Sequence, residues 1–245
     1  ETQIMVPGKF PITSPLWYYT PFVSASLFGI HEATDAEGDY NWASGDDCNF
    51  QVYLVKEELN STNAKFVFKS MLENDPFPTL ESPLYKEVYD NTNWNIAVKM
   101  RPQYSLQDTG SCALTGSFIL EFQGVQTEGD FVRNEFLLTS SISPATGTNF
   151  IQTNKRFYAG AHKNNFSGTT REQTDVKITN NRVWYSHLDK EVIRIHSRDS
   201  TNYGTKHPFR DAYAEYGEID VQIPEIDTLA LSWGFDTLTG SGPNE

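Results

Sequence analysis

Short runs of alternating apolar and polar residues recur along this chain, and they restrict it to a fold built from strands. In the clearest run, residues 94–101, one face carries the apolar side chains of Trp94, Ile96, Val98 and Met100. The opposite face carries Asn95, Lys99 and Arg101. A period of two places successive side chains on opposite faces of a strand. We therefore predict a strand with one face in a core and the other in water.

Similar runs predict further strands, separated by turns rich in Gly, Pro and Asn. These strands are predicted at residues 24–31, 49–56, 65–70, 117–125 and 133–140. Two segments that contain prolines, residues 73–83 and 143–149, are typical of turns. Many strands with almost no helix predict an all-β sandwich or barrel. We expect two antiparallel sheets that pack face to face, with a shared core containing Trp94, Ile96, Val98, Phe118, Leu120, Val176 and Ile178.

The segment from residue 157 to residue 199 predicts two strands followed by a short helix. The first strand is residues 157–161, which contain a glycine. The second alternates at Val176 and Ile178 and resumes after a bulge predicted at residues 180–181. The spacing then becomes helical near residues 189–198, with Asp189 as a cap and with Val192, Ile195 and His196 on one face. The simplest role for His196 is packing.

The order of a "FYAGA" strand, a "DVKI..RVW" strand and a "YSHLDKEVI" turn into helix resembles the closing segment of laminin G-like, concanavalin A-type jelly rolls. The resemblance implies an all-β fold, a concanavalin A-like (laminin G-like) antiparallel β-sandwich jelly roll with one short helix near residues 189–198. It also implies a binding or structural role.

Ordered blocks along the chain, such as "VSASLFGIHEATD", "YDNTNWNIAVKMRP", "KRFYAGAHKNNFSG" and "TLALSWGFDTLTGS", resemble large virion structural proteins of marine tailed bacteriophages that carry laminin G-like domains. This resemblance implies a non-enzymatic virion module, architectural or surface-exposed, with other virion proteins and a host-surface glycan as partners. The alternative is a glycan-binding, or less readily glycan-cleaving, laminin G-like domain of a secreted or cell-surface protein. The virion resemblance supplies no catalytic residues.

The pattern also predicts a division of the chain. Residues 1–21 carry four prolines and are expected to be an extended lead-in. Residues 22–200 are expected to form the laminin G-like sandwich, and residues 201–227 a linker. Residues 228–245 are either an edge strand of the sandwich or the start of a following unit. Because the chain does not start with Met, we expect it to be an excerpt of a longer polypeptide.

Charge and composition exclude some classes of function. The net charge of −13 argues against a nucleic-acid binder, which needs a clustered basic surface. No apolar run approaches the roughly 18 residues that a membrane-spanning helix requires. The two cysteines, Cys48 and Cys112, are compatible with either a disulfide bond or two free thiols, so the compartment stays open.

One segment, "GEIDVQIPE" at residues 217–225, is similar to the catalytic strand of laminarinase-type glycoside hydrolases. Glu218 and Asp220 share a face, as a pair of catalytic carboxylates would. However, Ile223 stands where that family has its second Glu, and Glu225 follows Pro224, which breaks a strand. We therefore predict that this segment is not catalytic.

Acidic and aromatic residues cluster between the first two predicted strands. Asp35, Glu37 and Asp39 are candidate calcium ligands, because calcium prefers carboxylate and carbonyl oxygens. A solvated acidic loop accounts for the same residues without an ion. Tyr40 and Trp42 beside them are candidates for stacking on a sugar, or for anchoring the loop to the sandwich.

Overall fold

The computed structural model describes residues 1–8, 22–32, 49–70, 77–103, 116–163, 170–171, 173–199, 211–216 and 219–235. The described chain is mainly strands. They are β1 (Thr2–Val6), β2 (Ser24–Glu32), β3 (Phe50–Lys56), β4 (Ala64–Ser70), β5 (Leu80–Glu81), β6 (Thr92–Pro102), β7 (Phe118–Glu128), β8 (Phe131–Ile142), β9 (Lys155–Ala159), β10 (His162–Lys163), β11 (Thr170–Arg171), β12 (Lys177–Trp184), β13 (Asp211–Tyr216), β14 (Ile219–Pro224) and β15 (Leu229–Gly234). Two helices, α1 (Pro144–Gln152) and α2 (Lys190–His196), accompany them.

The strands form two main antiparallel sheets. The first has six strands in the order β15-β12-β1-β6-β7-β8, and the second has five in the order β5-β4-β3-β2-β9. Two further antiparallel pairs, β10–β11 and β13–β14, occur among the described strands. The inner faces of the two main sheets share one apolar core. The predicted all-β sandwich is therefore confirmed at this level.

The predicted core is also confirmed. Trp94, Ile96, Phe118, Leu120 and Val176 are buried, while Val98 and Ile178 are partly buried and pack against them. Aromatic pairs join the sheets across the core. The ring centroids of Phe66 and Trp94 lie 4.7 Å apart, and those of Phe68 and Phe122 lie 6.1 Å apart.

The second face of β6, which we expected to be in water, is covered by α2. Asn95 and Lys99 on this face are 1% and 8% exposed. The Asn95 amide donates a hydrogen bond to the Ile193 carbonyl of the helix at 3.1 Å. Asn95 thus serves the helix backbone, while Lys99 donates to Gln123 of the neighbouring strand β7. The prediction of a wet face was wrong for Asn95 and Lys99, whereas the Arg101 side chain is 42% exposed.

The extended lead-in predicted at residues 1–21 is wrong for its first residues, because β1 is a central strand between β12 and β6. Residues 1–6 contain no proline, and Pro7 directly follows the end of the strand. Ile4 and Val6 alternate into the core and are almost fully buried. The proline density of the whole range concealed this short apolar strand.

Helix α1 occupies residues that we predicted to be a turn. Ser143 is its N-cap, and the Ser143 hydroxyl accepts a hydrogen bond from the Thr146 backbone N–H at 3.1 Å. Pro144 follows at the first helical position, where its fixed φ favours a helix and its missing N–H costs nothing. The Ser-Pro pair was the signal of a helix start. Gly147 is required because a Cβ there would lie 2.2 Å from the Phe118 ring.

Helix α2 is confirmed. Asp189 occupies the N-cap position, and its backbone carbonyl accepts hydrogen bonds from the Val192 and Ile193 N–H groups. The bulge in β12 lies one residue before the predicted pair: Gln3 and Ile4 pair with Asn180 and Ile178, which leaves Thr179 as the extra residue.

The C-terminal part of the described chain belongs to the sheets. Strand β15 pairs with β12 and forms an edge of the six-stranded sheet, which is the edge-strand arrangement left open by the sequence. The range predicted as a linker, residues 201–227, contains the hairpin of β13 and β14. Gly217 and Glu218 separate these strands in the sequence, a Gly-containing spacing typical of hairpins.

Candidate functional site

Most residues proposed from the sequence as ligand sites lie outside the described residues. These are Asp35, Glu37, Asp39, Tyr40 and Trp42. Cys48, Cys112 and Glu218 also lie outside them. Within the described ranges, no three His, Cys, Asp or Glu side chains are grouped so that they could hold a metal ion.

The backbone of the "GEID" segment is described in part. Asp220 lies in β14, which ends at Pro224. Glu225 then begins a 3₁₀ turn, Glu225–Thr228, rather than continuing the strand. Whether the segment is catalytic stays a prediction.

A cleft of about 320 Å³ is the candidate functional site, and residues of both sheets line it. This volume is within the range of small ligand-binding clefts. One wall is formed by residues 97–100 of β6, and the other by residues 181–188, which include the end of β12. Residues of β2, β9 and α1 close it on the side of the five-stranded sheet.

The inner end of the cleft is apolar. Met100 and Leu120 reach it from the six-stranded sheet, and Phe28 and Phe50 reach it from the five-stranded sheet. Phe150 of α1 packs against Phe50, with ring centroids 6.0 Å apart. These side chains favour an apolar ligand group at this depth.

Three of the aromatic side chains that line the cleft are exposed to solvent. Tyr185 is 87% exposed, Trp233 is 45% exposed and Phe157 is 37% exposed. All three line the cleft. Large exposed apolar side chains grouped at one place typically mark a binding surface.

The Trp184 indole adds a polar group to the same wall. Its Nε1–H is buried and has no hydrogen-bond partner among the described residues. The ring stacks against His196, with centroids 5.8 Å apart. A buried donor without a partner is unfavourable, so a ligand that accepts from it would gain affinity.

A charged cluster borders the cleft around Glu121. The Glu121 carboxylate lies 3.0 Å from Lys99 Nζ, 3.2 Å from Arg101 Nε and 3.1 Å from His187 Nε2. Burial alone would raise the pKa of Glu121, but the hydrogen bonds and charges of Lys99 and His187 outweigh it and lower the pKa to about 2. Glu121 therefore remains ionised and cannot act as a proton donor near neutral pH.

A second buried cluster lies beside the cleft where β1 meets β12. The Glu1 carboxylate lies 3.2 Å from Arg182 Nη1 and 3.0 Å from His196 Nδ1. Burial opposes ionisation of Glu1, but the hydrogen bond and charge of His196, with further help from Arg182, leave its pKa below the ordinary value. His196 is fully buried, as a packing residue would be, but its pairing with Glu1 was missed. No local pattern could reveal a contact between residues 195 positions apart.

A third polar cluster covers the outer face of the five-stranded sheet. His31 is 1% exposed, and its Nε2 atom lies 3.0 Å from Gln51 Oε1. The Gln51 amide in turn donates to Ser26 Oγ at 2.8 Å, and the Tyr158 ring lies 4.7 Å from the His31 ring. Burial lowers the pKa of His31 to about 3.

This shift predicts that the protein loses stability as the pH falls from about 6.5 towards 3. Between pH 6.5 and about pH 3, His31 binds a proton in the unfolded chain but not in the folded protein, so a falling pH favours unfolding. At pH 5 the expected loss is about 2 kcal/mol, from roughly 1.4 kcal/mol per pH unit. Denaturant unfolding at pH 7.5 and at pH 5 measures this loss in the free energy of unfolding. The His31→Gln variant should lose about 2 kcal/mol less over the same interval, and an equal loss in both proteins would contradict the assignment.

Comparison with known proteins gives no match to a protein family, a curated protein or a solved structure. Neither of the helices in the described part of the chain is long and apolar enough to span a membrane.

Proposed function

We propose that this chain is a non-enzymatic β-sandwich module of a tailed-phage virion, of the concanavalin A-like (laminin G-like) jelly-roll type. In this role it is an architectural or surface-exposed adhesion element and contacts other virion proteins. The ordered sequence blocks that resemble marine phage virion proteins support the assignment to a particle. The two-sheet core supports a rigid module.

The observation that carries the proposal is the combination of an open, largely apolar cleft with charged neighbours held in ion pairs. Glu1 lines the cleft, and Glu121 pairs with the cleft residues Lys99 and His187. The pKa of each carboxyl group lies below its ordinary value. Acid–base chemistry on a glycosidic bond instead needs a carboxyl group whose pKa is raised. These two carboxylates are thus suited to ion pairing rather than to donating a proton, which supports a binding role for the cleft.

Protein analysis of purified particles tests the proposal. We expect peptides of this chain to co-purify with phage particles through a density gradient, at a constant ratio to a major structural protein. A replication enzyme of the same phage is the matched control and should be lost during purification. Finding this chain lost together with that enzyme would overturn the virion assignment.

The second candidate function is glycan binding, by an adhesion module or by an extracellular protein. The observation that favours it is the exposed aromatic group of Tyr185, Trp233 and Phe157 at the cleft. Aromatic rings offer flat apolar faces with little conformational entropy to lose, which suits the apolar faces of sugar rings.

Glycan binding is tested on an array, followed by titration calorimetry on any positive glycan. Trp233→Ala should weaken binding by about tenfold or more, the loss of roughly 1.4 kcal/mol of contact. Phe131→Ala is the matched control, because Phe131 is 74% exposed and lies outside the cleft. Equal effects of the two substitutions would exclude the aromatic group as the sugar site.

A further inference from the structure

Strand β8 forms one edge of the six-stranded sheet, and among the described residues only β7 pairs with it. It is 12 residues long, whereas the other edge strands of the two main sheets, β5, β9 and β15, have two, five and six residues. Its ladder with β7 is regular from Asn134 to Ile142, after an extra residue at Arg133. Proteins usually keep edge strands short, charged or interrupted, because an open edge pairs with other strands. Within the described structure, β8 thus offers a long regular edge to a further strand.

The hydrogen-bond pattern of the sheet shows which peptide groups of β8 face outward. The Gln103 N–H donates to the Ser117 carbonyl at 2.8 Å. Because bonded pairs alternate along an antiparallel ladder, the odd-numbered residues of β7 bond to β6 and the even-numbered residues bond to β8. Even-numbered residues of β7 lie opposite even-numbered residues of β8 over residues 134–142. The N–H and C=O groups that point away from β7 therefore include those of Leu137, Thr139 and Ser141.

This open segment is bounded by two carbonyl groups that already have partners. The Glu135 carbonyl accepts a hydrogen bond from the Tyr85 hydroxyl at 3.1 Å. The Ser143 carbonyl accepts one from the Gly147 N–H at 3.0 Å, in the first turn of α1. These two carbonyls lie at equal distances along the chain from Thr139, one on each side. The unused peptide groups of the edge are thus distributed symmetrically about Thr139.

We propose that β8 pairs antiparallel with β8 of a second copy of this chain, about a two-fold axis at Thr139. In this register Thr139 lies opposite its own counterpart, and Leu137 of each copy lies opposite Ser141 of the other. Each of these pairs exchanges two hydrogen bonds, so the N–H and C=O groups of all three residues gain partners. A two-fold contact of one surface with itself closes after two copies. The two six-stranded sheets then form one continuous sheet.

The charge distribution favours a second copy as the strand that binds. The chain carries a net charge of −13, which tends to keep copies of a protein apart. Residues 136–143 contain no charged side chain. Glu135, the acid of β8 nearest to this segment, is paired with Arg194, whose Nε lies 2.6 Å from the Glu135 carboxylate. A copy can therefore approach this edge without bringing unpaired like charges together.

The side chains of the segment also fit this register. Leu137, Thr139 and Ser141 occupy alternate positions of the strand and share its outer face, where all three are exposed. The two Thr139 side chains lie directly opposite each other, and Thr–Thr pairs across an antiparallel ladder are favourable. Leu137 lies opposite the small Ser141 side chain, which allows the two strands to approach closely.

Sedimentation equilibrium and amide-resolved hydrogen exchange together test the contact. We expect the protein to change from monomer to dimer as its concentration rises. In the dimer, exchange at the Leu137, Thr139 and Ser141 amides should slow by at least about tenfold, because these N–H groups gain partners. The Leu138 and Ser140 amides already bond to β7, so their exchange should change much less. They serve as internal controls on the same strand.

Two lysine substitutions separate this contact from a general effect of charge. Thr139→Lys places two like charges opposite each other across the two-fold axis and should weaken dimerisation by at least about tenfold. Asn93→Lys adds the same charge at an exposed position of β6, which is paired on both sides there. The Asn93→Lys protein should dimerise like the unaltered protein.

The proposal is wrong if the protein stays monomeric at every concentration at which it is soluble. It is also wrong if a dimer forms while exchange at the Leu137, Thr139 and Ser141 amides is unchanged, because the copies then meet at another surface. Slow exchange at these amides in the monomer would assign the edge to another segment of the chain instead. Equal dimerisation of the Thr139→Lys and Asn93→Lys proteins would exclude the register centred on Thr139. If Thr139→Lys does not fold, the exchange pattern of the unaltered protein still decides the question.

Discussion

Replacing Trp94 with alanine is expected to lower the free energy of unfolding by about 3–5 kcal/mol, the usual cost of removing a buried tryptophan. Trp94 is 2% exposed and lies at the centre of the inter-sheet core. Its ring centroid lies 4.7 Å from that of Phe66 on the opposite sheet and 5.2 Å from that of Tyr85. The substitution removes this contact area and leaves a cavity that two rigid sheets cannot close. Urea unfolding followed by circular dichroism measures the change.

Phe131→Ala is the control for this experiment. Phe131 is also an aromatic residue of the six-stranded sheet, but it is 74% exposed at the start of β8. Its removal should change stability by less than about 0.5 kcal/mol. A Trp94→Ala protein as stable as the Phe131→Ala protein would show that the two sheets do not share the core described above.

Replacing Asp175 with asparagine is expected to cost about 3–5 kcal/mol, because it leaves the buried Lys56 ammonium without its counterion. Lys56 Nζ lies 3.2 Å from Asp175 Oδ2, and the two side chains are only 7% and 2% exposed. The Tyr89 hydroxyl donates to the other carboxylate oxygen at 2.9 Å. Asparagine keeps the size of the side chain. The loss in the free energy of unfolding therefore measures the contribution of the charge and its hydrogen bonds rather than that of packing.

The matched control is Glu81→Gln, which breaks the ion pair of Lys65 and Glu81 on the same sheet. Those side chains are 35% and 49% exposed, and their separation is 2.6 Å. Exposed pairs of this kind contribute at most about 1 kcal/mol. A chemical denaturation series at neutral pH compares the two variants. Similar small losses in both would mean that Lys56 reaches water when its partner is neutralised.

Strand positions could be predicted from the sequence because alternation is a local property. Residues 94–101 show it over eight positions, and the structure gives β6 at Thr92–Pro102. The period of two also predicts directly that the Trp94 and Ile96 side chains face the core. Nothing in the same run indicates what covers the second face, because Asn95 and Lys99 are polar yet buried beneath α2.

The candidate site could not be predicted in this way, because its walls come from distant parts of the chain. Residues 97–100 meet residues 181–188 only once the sheet is assembled, and neither segment carries a recognised ligand-binding motif. The sequence instead directed attention to acidic and aromatic residues between two predicted strands, such as Asp39 and Trp42. Local composition identifies residues that could bind, whereas a cleft between strands exists only in the tertiary structure.

The central position of β1 also determines the order in which the molecule can fold. Its partners lie far along the chain, at Ile96 on one side and at Asn181 on the other. Bringing such distant segments together costs loop-closure entropy before any contact repays it. During synthesis, residues 2–6 leave the ribosome before residues 177–181 and must wait for them before both of their edges are paired. We therefore expect refolding to end with a slow step in which β1 docks between β6 and β12. Until that step, no strand connects β6 with β12.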